Sequence, residues 1–249
     1  MINLQDEYAL KSNETVAIIP IGDAHIGSPQ FDIKFFKSML KNIKDIKRKR
    51  IYLLGDMLEV ASKSVANSSY EQVCPVEEQR EYFINNFKPF KDDIVGFAIG
   101  NHCARINKEF GYNIVKDMCR ELDIPYYNQN IDTFRINDFD FSVYTRHSKG
   151  SSQQKHLAMG KMEKEMQHIY ADLYIQGHQH RLLFWDQLKR FPNGYKRIYF
   201  AQCGSFLGYN GYADSMYLQR ELPSYQIINV NKNRDVKSTK YYADIEEVE

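Results

Sequence analysis

Four short apolar runs in this chain each end at a glycine that is followed at once by polar residues. The four clusters are Gly22-Asp23-Ala24-His25, Gly55-Asp56, Gly100-Asn101-His102 and Gly177-His178-Gln179-His180. Open α/β sheets bind ligands just beyond the carboxyl ends of their strands, and glycine allows the tight turn and close backbone approach that such a site needs. The repeated pattern therefore predicts four polar clusters on one rim of a sheet.

Apolar periodicity places these clusters in an α/β domain. Buried strands are predicted over 15–21, 51–54, 94–99 and 171–175, and helices over 32–48 with Asp32 as N-cap, 76–87, 109–122 and 155–170. A hairpin is predicted across Asn137-Asp138, with further strands over 182–188, 195–201, 225–230 and 236–242. Alternating strands and helices in the first half imply parallel pairing under helical cover. We expect one continuous domain over residues 1–249, with two mixed sheets face to face and helices outside.

The charge balance limits the classes of partner. Lys and Arg number 33 and Asp and Glu 32, giving a formal net charge of +1, so the general basic field that drives non-specific nucleic-acid binding is absent. The one dense basic stretch, KNIKDIKRKR over 41–50, is interpreted as the solvated end of a helix. A nucleic-acid contact is the alternative interpretation of that stretch.

The cysteines and the apolar content indicate the compartment. The four cysteines form no C-x-x-C pair, and we interpret them as reduced thiols of a cytoplasmic protein. Residues 1–14 are polar, so no signal peptide is expected. No stretch approaches the roughly 18 apolar residues of a membrane span, and no membrane partner is expected.

The side chains in the four clusters are of the kinds that bind metal ions. Carboxylate oxygen, amide oxygen and imidazole nitrogen suit Mn²⁺, Fe²⁺ or Zn²⁺. The Asp-x-His and His-x-His motifs contain no thiolate, which argues against a structural zinc site. Each motif alone is a weak indication, whereas the ordered set is far more specific.

The ordered set resembles the calcineurin-like metallophosphoesterase superfamily. The family pattern of D-x-H, G-D-x-x-D/E, G-N-H, a lone His and G-H-x-H is supplied here by 23–25, 55–59, 100–102, His147 and 177–180. The resemblance spans about residues 18–180, and it implies a four-layer α-β-β-α sandwich with two mixed β-sheets flanked by helices. The polar insert before G-H-x-H and the G-S-F-L segment are loosely similar to small phage-type members.

The resemblance also implies a ligand set for two divalent metal ions. One ion would be held by Asp23, His25 and His180, the other by Asn101, His147 and His178, with Asp56 bridging them. Mn²⁺ is the expected ion, with Fe, Zn or Ni as alternatives. Two ions about 4 Å apart can clamp a phosphoryl group and make hydroxide from bridging water, which would attack phosphorus without a protein nucleophile.

Two residues outside the ligand set have implied catalytic roles. The resemblance makes His102 the general acid for the leaving oxygen, oriented by the acid three residues after the bridging Asp, which here is Glu59. We therefore predict a Glu59–His102 pair, with an exposed Glu59 as the alternative. Two cationic side chains are candidates to bind the substrate phosphate, Arg105 and Arg181, and Arg146 and Lys149 also adjoin the motifs.

The sequence departs from the family pattern at two places. Cys103 stands where many members have an acid after G-N-H, which removes a carboxylate near the second metal. His147 is followed by Ser148, where the family usually has Gly. His156 and His168 lie in a predicted helix and are interpreted as surface or packing residues.

The substrate class stays open between a phosphatase and a nuclease. The D-A-H-I-G start resembles DNA-repair exonucleases of the superfamily, whereas the short, near-neutral chain shows no separate DNA-binding domain. A nucleotide or nucleic acid is a possible phosphate-ester substrate, and Tyr209, Tyr212 and Tyr217 could stack a base or simply pack. A non-catalytic scaffold of the same fold is a further alternative, and the oligomeric state is not predicted.

Overall fold

A computed structural model of the chain describes residues 4–60, 72–148, 155–165, 168–192, 194–208 and 222–243. Lys149 and the three tyrosines at 209, 212 and 217 lie outside the described residues. The described strands form two six-stranded mixed sheets.

Sheet I contains the strands that precede the first three glycine clusters. Its strands are β2 (Thr15–Ile21), β3 (Lys49–Leu53), β4 (Ile94–Ala98), β5 (Tyr126–Tyr127), β11 (Ser224–Asn231) and β12 (Val236–Tyr242), in the order β12-β11-β2-β3-β4-β5. Strands β2 to β5 pair in parallel, so their carboxyl ends meet at one edge. Strands β11 and β12 add an antiparallel pair beside β2.

Sheet II contains the strands that lead to His147 and to the last cluster. Its strands are β1 (Leu4–Tyr8), β6 (Gln129–Ile136), β7 (Phe139–His147), β8 (Leu173–Gly177), β9 (Leu182–Phe191) and β10 (Gly194–Cys203), in the order β1-β6-β7-β8-β10-β9. Strands β7, β8 and β10 run in parallel, and the register places His147 opposite Gly177. The predicted hairpin across Asn137-Asp138 is confirmed as the β6–β7 pair.

Five α-helices lie in the described part of the chain. They are α1 (Ile33–Lys44), α2 (Val76–Phe87), α3 (Asn101–Phe110), α4 (Ile114–Leu122) and α5 (Lys155–Glu165). Asp32 caps α1 as predicted, because its Oδ1 accepts a hydrogen bond from the Phe35 amide at 2.9 Å. No helix within the described ranges is long and apolar enough to cross a membrane.

The prediction of one helix over 109–122 is wrong, because the chain there forms the end of α3 and a separate α4. Gly111 ends α3 in the left-handed conformation at φ 67°, which glycine adopts without a steric penalty. Asn113 then caps α4 by accepting a hydrogen bond from the Lys116 amide at 3.0 Å. Apolar spacing that continues across the break hid both caps, and the start of α3 at Asn101 was also missed.

Two apolar cores and a smaller third one give the molecule four layers. The two sheets pack on each other through alternate residues such as Ile18, Leu54, Val143 and Ile175. Helices α1, α2 and α4 cover the outer face of sheet I, and α5 covers the outer face of sheet II through Met162. The structure thus confirms the predicted α/β sandwich of two mixed sheets flanked by helices.

Candidate metal centre

All seven predicted ligands lie together at the carboxyl edge of the two sheets. Donor atoms within 4.8 Å of one another form three overlapping groups: Asp23 with His25 and His180; Asp56 with His147 and His178; and His25 with Asp56 and His102. Asn101 joins the second group, since its Oδ1 lies 3.0 Å from His147 Nε2. The first group has the members of one implied ligand set, and the second contains His147 and His178 of the other together with Asp56.

The backbone at these ligands is unusual. Nine non-glycine residues in the described ranges have positive φ, and five of them are predicted ligands: Asp23 at 52°, His25 at 52°, Asp56 at 46°, His178 at 90° and His180 at 51°. Only a few per cent of non-glycine residues adopt this conformation. Such residues cost free energy and collect at functional sites, where the surrounding structure holds them.

Two of the motif glycines leave the space that the ligands occupy. A Cβ on Gly100 would lie 2.1 Å from Asp56 Oδ1. A Cβ on Gly55, which has φ 89°, would lie 2.6 Å from His147 Nδ1. Any larger residue at either position would therefore displace a ligand, which explains why these strands end at glycine.

Hydrogen bonds fix the orientation of two ligand imidazoles. The Nδ1 of His147 donates to the Leu54 carbonyl at 2.7 Å, and the Nδ1 of His25 bonds to Glu59 Oε2 at 2.8 Å. Both bonds assign the Nε2 lone pair to the centre, because a neutral imidazole that donates from one nitrogen accepts at the other. Outer partners of this kind orient histidines that bind metals.

One buried acceptor atom in the centre lacks a hydrogen-bond partner among the described residues. Asp23 is fully buried, and its Oδ2 accepts from the His178 amide at 2.6 Å, but its Oδ1 has no hydrogen-bond partner among the described residues. The Nε2 atoms of His25 and His180 face each other at 3.2 Å. A buried acceptor without a partner is costly, so a cation between these atoms fits the donor set.

The buried acids and histidines of the cluster have shifted pKa values. Burial raises the pKa of the Asp23 carboxyl to about 6. Burial alone would lower the pKa of His147, but its hydrogen bond and ion pair with Asp56 raise that pKa to about 9. Burial likewise opposes ionisation of Asp56, yet His147 holds the pKa of Asp56 below its usual range. Metal binding to these side chains must release such protons.

Glu59 and His102 are in contact, and the contact involves two parts of Glu59. His102 Nδ1 lies 2.8 Å from the Glu59 carbonyl oxygen and 3.5 Å from its Oε1. The carboxylate makes its shorter bond to His25, the ligand beside His102, so Glu59 links the two imidazoles. Burial, together with nearby His25, lowers the pKa of His102 to about 4.

The two candidate phosphate-binding arginines occupy different environments. Arg105 Nη2 lies 3.2 Å from His102 Nε2, and Arg105 is half-buried at the opening of the centre. Arg181 directly follows the last ligand but is only 6% exposed. Arg105 is therefore the better placed of the two to meet a substrate.

The remaining sequence candidates lie away from the ligands. Cys103 packs in the core beneath sheet I with no exposed surface, and burial raises the pKa of its thiol. The residue that replaces the family acid thus fills the core. His156 and His168 are exposed, in line with their interpretation as surface residues.

The sequence analysis missed two residues that hold Asp23. The Cys203 thiol donates to Asp23 Oδ2 at 3.5 Å, and the Ser205 hydroxyl donates to the Asp23 carbonyl at 2.9 Å. The available indication was that β10, a fifth apolar strand, also ends just before a glycine, Gly204.

The order of the ligands along the chain, their strand-end placement and the two-sheet sandwich agree with one another. The two mixed six-stranded sheets and the side-chain groups at their edge match the architecture that the sequence resemblance led us to expect. No family model and no curated protein matches the sequence.

Two solved structures align with most of the chain at low similarity. One is a conserved uncharacterized protein from Streptococcus pneumoniae TIGR4, described as a predicted phosphoesterase, with 14% identity, a TM-score of 0.40, and coverage of 92% of this chain and 99% of that one. The other is Vps29 from Chaetomium thermophilum, with 14% identity, a TM-score of 0.42, and coverage of 91% and 97%. At such values neither similarity bears on what this chain does.

Proposed function

We propose that the protein is a metal-dependent phosphoesterase that hydrolyses a phosphate ester at the seven-ligand centre. The observation that carries the proposal is the buried Asp23 Oδ1, which has no hydrogen-bond partner in the described structure and faces His180 Nε2 at 3.7 Å. Asp23, His25 and His180 would hold one divalent ion, and Asn101, His147 and His178 the other, with Asp56 between them. A structural polar cluster would satisfy its own acceptors, whereas this one needs a cation.

Two bound cations supply a Lewis-acid clamp on the phosphoryl oxygens and a nucleophile from water near neutral pH. The chain's own residues orient the reacting groups. Glu59 and the Leu54 carbonyl fix the tautomers of His25 and His147, so that Nε2 of each accepts. The His102 amide donates to Asp56 Oδ1 at 2.8 Å, which positions the bridging carboxylate.

His102 would hold the proton for the leaving oxygen at Nε2. Its Nδ1 is fixed by the Glu59 carbonyl, which leaves Nε2 to face the opening. Arg105 now donates to that same atom. With a pKa of about 4, His102 is neutral while Arg105 donates to Nε2. The phosphate of a substrate would attract the guanidinium of Arg105 away from Nε2, and His102 would then take up a proton from water at Nε2 and pass it to the leaving oxygen.

A small phosphate ester is favoured over a long nucleic acid as substrate. Three of the six cationic residues in the basic stretch 41–50 are held by internal contacts: Arg48 with Glu14 at 3.0 Å, Lys49 with Asp93 at 3.0 Å, and a buried Arg50. Phosphate-backbone binding needs several available cations. A nuclease that acts on the end of a short strand is the alternative. A non-catalytic scaffold is disfavoured because a residue able to bind metal stands at every ligand position of the motifs.

The test combines metal analysis with a substrate panel. Protein loaded with Mn²⁺ should contain two ions per chain and hydrolyse p-nitrophenyl phosphate or bis(p-nitrophenyl) phosphate faster than single-stranded DNA. Preference for DNA would favour the nuclease alternative. No turnover of any of the three substrates by fully loaded protein would count against an enzyme. Fewer than two ions after loading would favour the scaffold.

A further inference from the structure

Four glutamines are buried in the described structure, and two of them are satisfied internally. Gln226 donates to the Leu183 and Gln202 carbonyls at 3.0 and 2.6 Å and accepts from the Ser238 hydroxyl at 2.6 Å. Gln79 accepts from the Val60 amide at 3.2 Å and donates to the Cys74 carbonyl at 3.0 Å. The fold can therefore bury a glutamine and still pair its carboxamide.

The other two buried glutamines are not satisfied. Neither the Oε1 nor the Nε2 of Gln176 has a hydrogen-bond partner among the described residues, and neither does the Oε1 of Gln202. The Nε2 of Gln202 meets only the Met162 sulfur, at 4.0 Å. Each side chain is 1% exposed, so solvent does not supply the missing bonds. Buried polar groups in native proteins normally have partners, and three unpartnered atoms together indicate a bound polar molecule.

The two glutamines are neighbours at the rim of the metal centre. Gln176 on β8 is the register partner of Gln202 on β10, and Arg146 on β7 continues the row. Gly177 and His178 follow Gln176 directly, and His147 follows Arg146. Because side chains alternate along a strand, the row faces the outer side of sheet II while His147 faces the ligands. The row and the metal ligands thus share one sheet edge.

Aromatic side chains adjoin the row on the same face. Tyr174 and Phe200, two residues earlier on β8 and β10, stack with ring centroids 5.3 Å apart. Trp185 stacks on Phe200 at 5.0 Å with an interplanar angle of 12°. The polar row is therefore bordered by a stack of three aromatic rings, an apolar neighbour that suits a ligand with polar edges.

Helix α5 covers the row. Met162 is the one buried side chain among those described in α5. The helix also accepts a hydrogen bond from Trp185 Nε1 through Glu163 Oε1 at 3.4 Å. If the Met162 and Glu163 contacts were broken, the row would become accessible at the sheet edge that carries the candidate metal ligands.

We propose that the Gln176–Gln202 row binds the nucleobase of a nucleotide ester whose phosphate lies at the metal centre. The position of the phosphate rests on the proposed function, whereas the base contact does not. Each carboxamide offers a donor and an acceptor in one plane, which matches the adjacent donors and acceptors on the edge of a base. The neighbouring aromatic rings provide the apolar border that base binding uses.

The test measures nucleoside binding in the absence of metal and phosphate. Chelator-treated protein is titrated with adenosine, guanosine, cytidine and uridine by ligand-observed NMR and calorimetry. At least one nucleoside should bind, and the variants Gln176→Leu and Gln202→Leu should each weaken it about tenfold or more, since buried partners of the base edge are lost. Gln187→Leu, on the outlying part of β9, is the matched control and should bind as the wild type does.

Several outcomes would overturn the inference. One is the absence of nucleoside binding to the wild type, and another is unchanged binding to both leucine variants. A crystal structure at saturating nucleoside that shows only ordered water between the two amides would do the same. Thermal unfolding checks folding, and Gln176→Leu should unfold at a higher temperature than the wild type, whereas Gln226→Leu should unfold at a lower one.

Failure of this inference and failure of the proposed function give different results. If the base contact is wrong, Gln176→Leu keeps wild-type kcat/KM on both nucleotides and a base-free ester such as p-nitrophenyl phosphate. If the metal-dependent hydrolysis is wrong, no ester is hydrolysed but nucleosides still bind and still lose affinity in the leucine variants.

Discussion

The space between the two sheets has a polar cluster at each end, and the two clusters are built in opposite ways. At the end away from the metal centre, Arg50 of β3 is 5% exposed and donates to both Asp132 oxygens at 2.9 Å. Asp6 and the Tyr8 hydroxyl complete the shell of Arg50, and the Tyr52 hydroxyl donates to Asp132. This Arg50 cluster contains its own cation, whereas the metal centre has donor atoms arranged for cations from outside.

The two clusters also differ in backbone conformation. Arg50, Asp132 and Tyr52 lie within regular strands, where each residue contributes by its position in the sheet. The candidate ligands lie at or just past the strand ends, and five of them have positive φ. A protein can thus build stability from regular strands and place binding on the strained turns that follow them. The variants below test this division.

The largest expected effect is that of Asp56→Asn, which should remove both ions and with them the hydrolytic activity. In the proposed site Asp56 stands between the two ligand groups. Its loss should therefore lower the affinity for each ion by more than about 10–100-fold, which is the range that outer residues of metal sites contribute. Metal content after Mn²⁺ loading and gel filtration measures the effect. Retention of two ions by a folded Asp56→Asn protein would contradict the bridging role.

At the other end, Arg50→Met should destabilise the fold without changing metal content. The substitution leaves Asp132 buried without its cation, and breaking a buried ion pair in this way costs about 3–5 kcal/mol. The free energy of unfolding in urea provides the measurement. The double variant Arg50→Met with Asp132→Leu should recover much of the loss, because an apolar replacement of both partners leaves no unpaired charge. If the Arg50→Met protein lost metal but kept wild-type stability, the proposed division between a stabilising cluster and a binding cluster would be wrong.

His102→Ala should separate chemistry from metal binding within the centre. Turnover should fall by about 10²-fold or more, as loss of a general acid does, while both ions stay bound because the seven ligands remain. The comparison is between metal content and kcat measured on one preparation. If His102→Ala loses metal, His102 is a ligand, as its place in a group with His25 and Asp56 would allow.

The contrast between the two clusters also explains what could be predicted from sequence. The four polar clusters follow apolar strands directly, and parallel strands bring their ends together, so local pattern indicated that these clusters would meet, whereas the place of His147 among the candidate ligands came only from the resemblance. The Arg50 cluster joins residues 6, 50 and 132 from three strands, and nothing local to any one of them indicates the others. Arg50 was accordingly grouped with the solvated stretch 41–50.

Details of contact were less predictable even where the motif was clear. The prediction that Glu59 would pair with His102 did not anticipate that its carboxylate would bond His25, since both imidazoles lie within reach of one side chain. The break between α3 and α4 depends on Gly111 and Asn113, which apolar spacing alone does not separate. The pairing of Gln176 with Gln202 depends on β8 and β10 being neighbouring strands, which no local sequence pattern indicates.

The smallest expected effect tests whether a thiol in the outer shell belongs to the metal centre or to the core. Cys203 is 3% exposed, and its thiol and the His178 amide both donate to Asp23 Oδ2, which leaves Oδ1 to bind the ion. Cys203→Ala should lower the affinity for the ion held by Asp23 by about tenfold, which is the lower end of the effect that outer residues of metal sites have. Cys203→Ser should restore the affinity, because the hydroxyl can donate in the same place.

A matched substitution at the Arg50 cluster is Tyr8→Phe, which removes one hydrogen bond to Arg50. It should reduce the free energy of unfolding by about 1 kcal/mol, the usual net value of one hydrogen bond, and leave Mn²⁺ affinity unchanged. Calorimetric titration with Mn²⁺ and urea unfolding of both variants would give the comparison. If Cys203→Ala lowered only stability, as Tyr8→Phe should, the thiol would be a packing residue and Asp23 would owe its orientation to the His178 amide alone.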